Sequence, residues 1–130
     1  INDAEIKLKE AQEAFDNGLF NEASYHAYTG MVIGAKALLL AVDVACNTQA
    51  AILSDFDQHL VAEHGFQVPG GSIEQLALQI KMTKPTQAFA HQFIRQLVDF
   101  LDAVRSFRSK QVEQDLLAAD KLVVDNYYKA

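Results

Sequence analysis

The stretch that decides the fold is EASYHAYTGMVIGAKALLLAV, residues 22–42. It consists mostly of good helix formers, yet it holds two interior glycines, Gly30 and Gly34. Each glycine costs a helix about 1 kcal/mol relative to alanine, so something at that face must offset the loss. Ala23, Ala27, Gly30, Gly34, Leu38 and Val42 share one stripe at helical spacing, with the smallest side chains in its middle. The expectation is a helix over Glu22–Cys46 whose glycines let the backbone of another helix come close.

Working toward the N-terminus, Ala4, Leu8, Ala11 and Phe15 lie at helical spacing among charged residues, the pattern of an amphipathic helix over Asp3–Phe15. Asn17 and Gly18 tolerate the left-handed conformation that ends a helix. The short connection that follows forces the two helices antiparallel. Toward the C-terminus, Thr48 or Asn47 can cap a third helix over Gln49–Glu63, buried through Ile52, Leu53, Phe56 and Leu60 and ended by Gly65. The loop QVPGGS, 67–72, leads to Ser72, which opens a short helix with Gln75 completing a capping box. Pro85 suits a first helical turn. Phe89, Phe93, Leu97, Phe100, Val104 and Phe107 then give the clearest periodicity in the chain, a core helix over Thr86–Phe107. A last helix over Lys110–Tyr128 carries Val112, Leu116, Ala119, Val123 and Tyr127. No segment alternates as a strand does. The fold expected is all-α: residues 1–130 as a single domain, an antiparallel up-and-down bundle of five to six helices.

Composition narrows the function. Seventeen acidic against 11 basic side chains give a net charge of −6, and the basic residues are scattered apart from Arg105, Arg108 and Lys110. Such a field repels a phosphate backbone and argues against nucleic acid as a partner. The longest unbroken apolar run, Ala37–Val42, falls far short of the roughly 20 residues that span a bilayer. A single cysteine, Cys46, and no signal segment point to a reducing, cytoplasmic setting. Because the first residue is Ile1 rather than methionine, the expectation is a domain cut from a longer chain.

The helical hairpin also invites a tetratricopeptide reading, but a shift of 34 residues sets Phe15 on Gln49 and Gly18 on Ile52, so no second copy follows. AQEAFDNGLFNEASYHAYTGMVIGAKALLLA (11–41) together with TQAAILSDFDQHLVAEHGF (48–66) instead resembles the HEPN family of small helical bundles. The resemblance covers the first half of the chain, and the third helix starts with Thr48 and Gln49 where members often carry a histidine. It implies one of two roles. Many members are metal-independent ribonucleases, often toxins or defence effectors, acting as dimers through an arginine followed four to six residues later by a histidine. Others are inert modules appended to larger bacterial proteins, redox enzymes of the sulfite and nitrite reductase type among them.

In the ribonuclease pair the imidazole moves a ribose 2′-hydroxyl proton while the guanidinium holds the phosphate. Here the arginines are Arg95, Arg105 and Arg108, and the last histidine is His91, so no histidine follows an arginine. His91 and Arg95 do stand four apart in the reverse order on one helix face, in line with Asp99, which reads as a solvated stripe with a surface ion pair.

The remaining candidates are few. Tyr25, His26 and Tyr28 gather hydrogen-bonding aromatic groups on the second helix, either as a helix or subunit contact or as a nucleotide site. His26, His59, His64 and His91 show no metal-ligand spacing. Lys36 reads as a snorkelling side chain and Cys46 as a small buried hydrophobe. Gly70 and Gly71 before a helix are weak evidence for an anion site. The reading is therefore a non-catalytic module without a cofactor or metal, binding a second copy of itself or the rest of a larger polypeptide. The alternatives are a ribonuclease with a non-standard site and a nucleotide-binding module.

Overall fold

The computed structural model describes residues 2–129, with side chains described as far as Ala119. The described residues form five α-helices and no strand: α1 (Asn2–Asp16), α2 (Phe20–Ala41), α3 (Gln49–Phe56), α4 (Ile73–Met82) and α5 (Gln87–Lys129). A π-helical turn, Asp57–Ala62, continues α3.

α1 ends as its sequence dictates. Gly18 takes φ +76°, Leu19 N–H donates to the Ala14 carbonyl at 2.8 Å and Gly18 N–H to Phe15 at 3.0 Å, which is a Schellman cap. α2 turns back against α1, with Glu10 beside His26 and the Ala4 carbonyl beside Gly30.

The second helix stops five residues short of the expected Cys46. Asp43 enters the left-handed region at φ 65°, Val44 N–H donates to Leu39 and Asp43 N–H to Leu40, so the same cap forms around an aspartate. Aspartate is one of the few non-glycine residues that tolerate this conformation. Residues 44–47 then run without regular structure, and Thr48 caps α3 by accepting from Ala51 N–H at 3.1 Å.

Directionality departs from an up-and-down bundle. Gln49, at the start of α3, bonds Tyr28 in the first half of α2, while Phe56 at its end lies 5.9 Å from Phe100, which packs on Gly34. α3 therefore runs the same way as α2, the intervening segment having carried the chain back. α5 also follows α2, since Gly30 meets Leu97, Gly34 meets Phe100 and Leu101, and Ala41 meets Gln111. It opposes α1, with Glu5 on Arg105 and Phe15 on His91.

The α2–α5 seam holds the core. A Cβ on Gly30 would stand 2.8 Å from a Leu97 methyl, and one on Gly34 would stand 3.1 Å from the Phe100 ring. What fills the glycine line from α5 is thus side chain rather than backbone. The backbone approach at Gly30 comes from the Ala4 carbonyl of α1, at 3.4 Å. Phe56, Phe93 and Phe100, Leu38, Leu60 and Leu97 are fully buried around this seam. Phe66 closes it edge-on to Phe56 at 5.6 Å and to Phe107 at 5.8 Å.

Two expected helices are one. No break occurs between Phe107 and Lys110, because Arg108 and Ser109 include neither glycine nor proline, and α5 runs unbroken to Lys129. Pro85 lies just outside it, and Thr86 caps it by accepting from Phe89 N–H at 3.2 Å. Ser72 and Gln75 form the expected capping box on α4. Among the described residues Gln111 makes the last hydrogen bond from α5 to the bundle, its Nε2 donating to the Ala41 carbonyl at 3.1 Å. Beyond it Val112 is 51% exposed and Leu116 61%. Val123 and Tyr127 fall outside the described side chains.

Gly30→Ala gains about 1 kcal/mol of helix propensity but overpacks a filled site at a cost of about 1–3 kcal/mol. The expected net loss is about 1 kcal/mol by urea unfolding. Combined with Leu97→Val, it should lose about 1 kcal/mol less than the two single losses together, because the contact is shared.

Candidate functional site

The candidate residues fall into two groups that the fold does not join. Tyr25, His26 and Tyr28 sit on the first half of α2, where the side chains of successive residues splay around the helix. Tyr25 is 62% exposed, while Tyr28 is buried and its ring lies 6.4 Å from that of Tyr25. Gln49 donates its amide to the Tyr28 hydroxyl, and burial holds that phenol above its ordinary range. His26 points toward α1, with Nδ1 3.3 Å from the Glu10 carboxylate, which Lys7 also engages at 3.0 Å. Tyr28 and His26 thus brace α2 against α3 and α1, and the Tyr25 ring is left to solvent. They do not converge on a common point.

His91 and Arg95 lie near the start of α5 and are exposed. The His91 ring packs 6.0 Å from Phe15. Arg95 makes no ion pair among the described residues, so the expected bridge to Asp99 is not formed. No hydrogen bond, ion pair or ring contact among the described residues links these two residues to the α2 group. Gly30 and Gly34 admit the Leu97 and Phe100 side chains of α5 rather than its backbone, and only Gly30 is met by backbone, the Ala4 carbonyl of α1.

The fold makes other polar arrangements that no motif in the sequence signals. Arg105 spans α5 to α1, donating to Glu5 at 2.5 Å and to Asp102 at 3.1 Å, and the Glu5 bond raises its already high pKa. Cys46 is buried, with Sγ 3.5 Å from Asp55. Burial and the neighbouring carboxylate both push its thiol upward, so it stays protonated and a poor nucleophile. Among the described residues no three of His, Cys, Asp and Glu gather closely enough to hold a metal ion.

Asp57, at the start of the π-helical turn, keeps its Oδ1 buried with no hydrogen-bond partner, as does Gln96 with its Oε1. Both are acceptors left without a donor. Burial raises the Asp57 carboxyl above its ordinary range, and the charge of Glu74 raises it further.

Two open grooves flank α5 where it leaves the bundle. One, of about 970 Å³, runs between Asp3 of α1, Ala37 of α2 and Arg105, Arg108, Val112 and Leu116 of α5. The other, of about 650 Å³, lies between Phe66 and Gln67 on one side and Phe107, Lys110 and Gln111 on the other. Ala37, Val112 and Leu116 give the first its apolar lining, and Asp3, Arg105, Arg108 and Glu113 its charged lining. Its position follows from the sequence: Val112 stands five residues past Phe107, which on a continuous helix turns it roughly 140° off the core-facing line.

Charging Asp57 costs the folded state more than the unfolded chain, so the penalty is absent at low pH and grows as pH rises through the carboxylate range. Asp57→Asn should therefore raise the melting temperature at pH 7, and the gap from the parent protein should close toward pH 3. A calorimetric pH series reads both.

Among the described residues, no helix is long and apolar enough to cross a membrane. In comparison with known proteins, no family model, no curated protein and no solved structure matches the chain.

Proposed function

We propose that this chain is a non-catalytic, HEPN-like helical module that works by offering a helix surface to another protein chain. The observation that carries this reading is α5 itself. It continues past Gln111, which makes its last bond to the bundle among the described residues, as far as Lys129, about 27 Å at 1.5 Å per residue. In proteins most helical stability comes from packing an amphipathic face rather than from propensity. Val112 and Leu116 are more than half exposed on it and line a groove. A helix that extends such residues from a finished core has a use for them outside the core.

Two features weigh against the ribonuclease alternative. His91 and Arg95 are separate exposed side chains, one against Phe15 and one without an ion pair among the described residues, and nothing aligns them on a common target. The net charge of −6 opposes phosphate binding. The nucleotide alternative fares no better, since Tyr28 is buried and engaged by Gln49 and His26 faces Glu10, which leaves only the Tyr25 ring for stacking.

The test is electrostatic. Titration with single-stranded and hairpin RNA at low salt should give no binding that weakens steeply as salt rises, and prolonged incubation should give no cleavage. Specific cleavage that disappears in His91→Ala or Arg95→Ala would overturn the reading. So would a melting temperature that climbs with added nucleotide in the parent protein but not in Tyr25→Ala.

A further inference from the structure

We infer that the surface offered by α5 is shaped and charged for a basic amphipathic helix of another protein, docked along the Val112–Leu116 stripe. The inference rests on the module reading above and names the chemistry of its partner.

The stripe supplies the anchors. Val112 and Leu116 are four residues apart, about 40° round the helix axis, so they face one way. Both line the groove of about 970 Å³ that α5 makes with Asp3 and Ala37. Apolar side chains at that spacing, exposed on a helix that runs on to Lys129, suit recognition of one helix by another. A partner helix of about 18 residues matches the roughly 27 Å that project.

Charge selects the partner. Glu113 follows Val112 by one residue and Asp115 precedes Leu116 by one. At about 100° per residue each carboxylate therefore stands about 60° outside the stripe, and the two lie on opposite edges of it. The grooves agree with this placement, since Glu113 lines the first and Asp115 the second. Both side chains are exposed. From 109 to 119 the sole basic residue is Lys110, and it stands about 160° round from Val112, on the far side of the helix. At the bundle end Arg108 does line the groove, together with Arg105. Arg105, however, is engaged by Glu5 and Asp102. Around the groove Asp3, Glu5, Asp102 and Glu113 thus outnumber the two arginines.

The apolar seam is bordered by an excess of negative charge. Residues that flank the seam between two helices choose the partner, so lysines or arginines fit here and carboxylates are repelled. A second copy would bring the same carboxylates and another net charge of −6, which opposes pairing of the chain with itself.

The experiment is a fluorescence-anisotropy titration of the full chain against three synthetic peptides of about 18 residues. The first carries leucines along one helical stripe with lysines on both edges. The second has glutamates in place of the lysines, and the third is a scramble of the first. The parent protein should bind the basic peptide, less tightly as salt rises, and the scramble at least about tenfold more weakly. It should not bind the acidic peptide. Leu116→Asp should abolish binding although it adds negative charge, whereas Leu117→Asp, an equally exposed position off the stripe, should retain it. The double variant Glu113→Lys, Asp115→Lys should lose about tenfold for the basic peptide and gain the acidic one. Circular dichroism verifies that each variant is folded.

Failure of the basic peptide to bind overturns the inference. So does equal binding of the scramble, equal behaviour of Leu116→Asp and Leu117→Asp, or a double variant that keeps the parent's preference. Self-association of the parent through Leu116 that shuts the peptide out, seen by sedimentation, overturns it as well. In each of these cases the module reading survives with a different partner if the RNA titration stays negative. Cleavage of RNA would overturn that reading whatever the peptides do.

Discussion

The fold depends on the contact between the glycine line of α2 and the apolar stripe of α5. Leu97 and Phe100 occupy the space that Cβ atoms on Gly30 and Gly34 would need, and both are fully buried. From that seam the rest follows. α1 reaches Gly30 through the Ala4 carbonyl, α3 adds Phe56 to Phe100, and Phe66 packs edge-to-face with both Phe56 and Phe100. The helix-propensity loss at the two glycines, about 1 kcal/mol each, is small beside burial of large side chains at about 1.5–3 kcal/mol apiece.

Local signals in the sequence were legible where one residue type has one mechanical use. Gly18 at positive φ, Thr48 at an N-cap and the Ser72–Gln75 capping box all sit where their chemistry places them. The end of α2 was not legible, because Asp43 can continue a helix or terminate it, and the choice is made by the loop beyond. Direction was not legible either. A short connection fixes two helices antiparallel, but residues 42–48 are long enough to carry the chain back, so α3 follows α2. The continuity of α5 could have been read from the lack of a breaker at Arg108 and Ser109.

The candidate site was less legible than the fold. Tyr25, His26 and Tyr28 are adjacent in sequence, but a helix turns roughly 100° per residue, so adjacency along it separates side chains. The same geometry works in favour of Arg108, Val112 and Leu116, whose spacings of four return them to one side, where all three line the first groove. Asp57 shows the opposite limit: nothing in FDQHL distinguishes it from a surface aspartate, and its buried oxygen follows from the tertiary packing around the turn.

That turn carries one last consequence. A π-helical segment accommodates one residue more than an α-helix of the same span and shifts everything after it around the axis. Between Asp57 and Ala62 the backbone therefore holds slack of a single residue. Shortening the chain by one position there would let α3 run on in ordinary α geometry, whereas the same deletion in α2 would rotate Gly30 or Gly34 off Leu97 and Phe100 and dismantle the core.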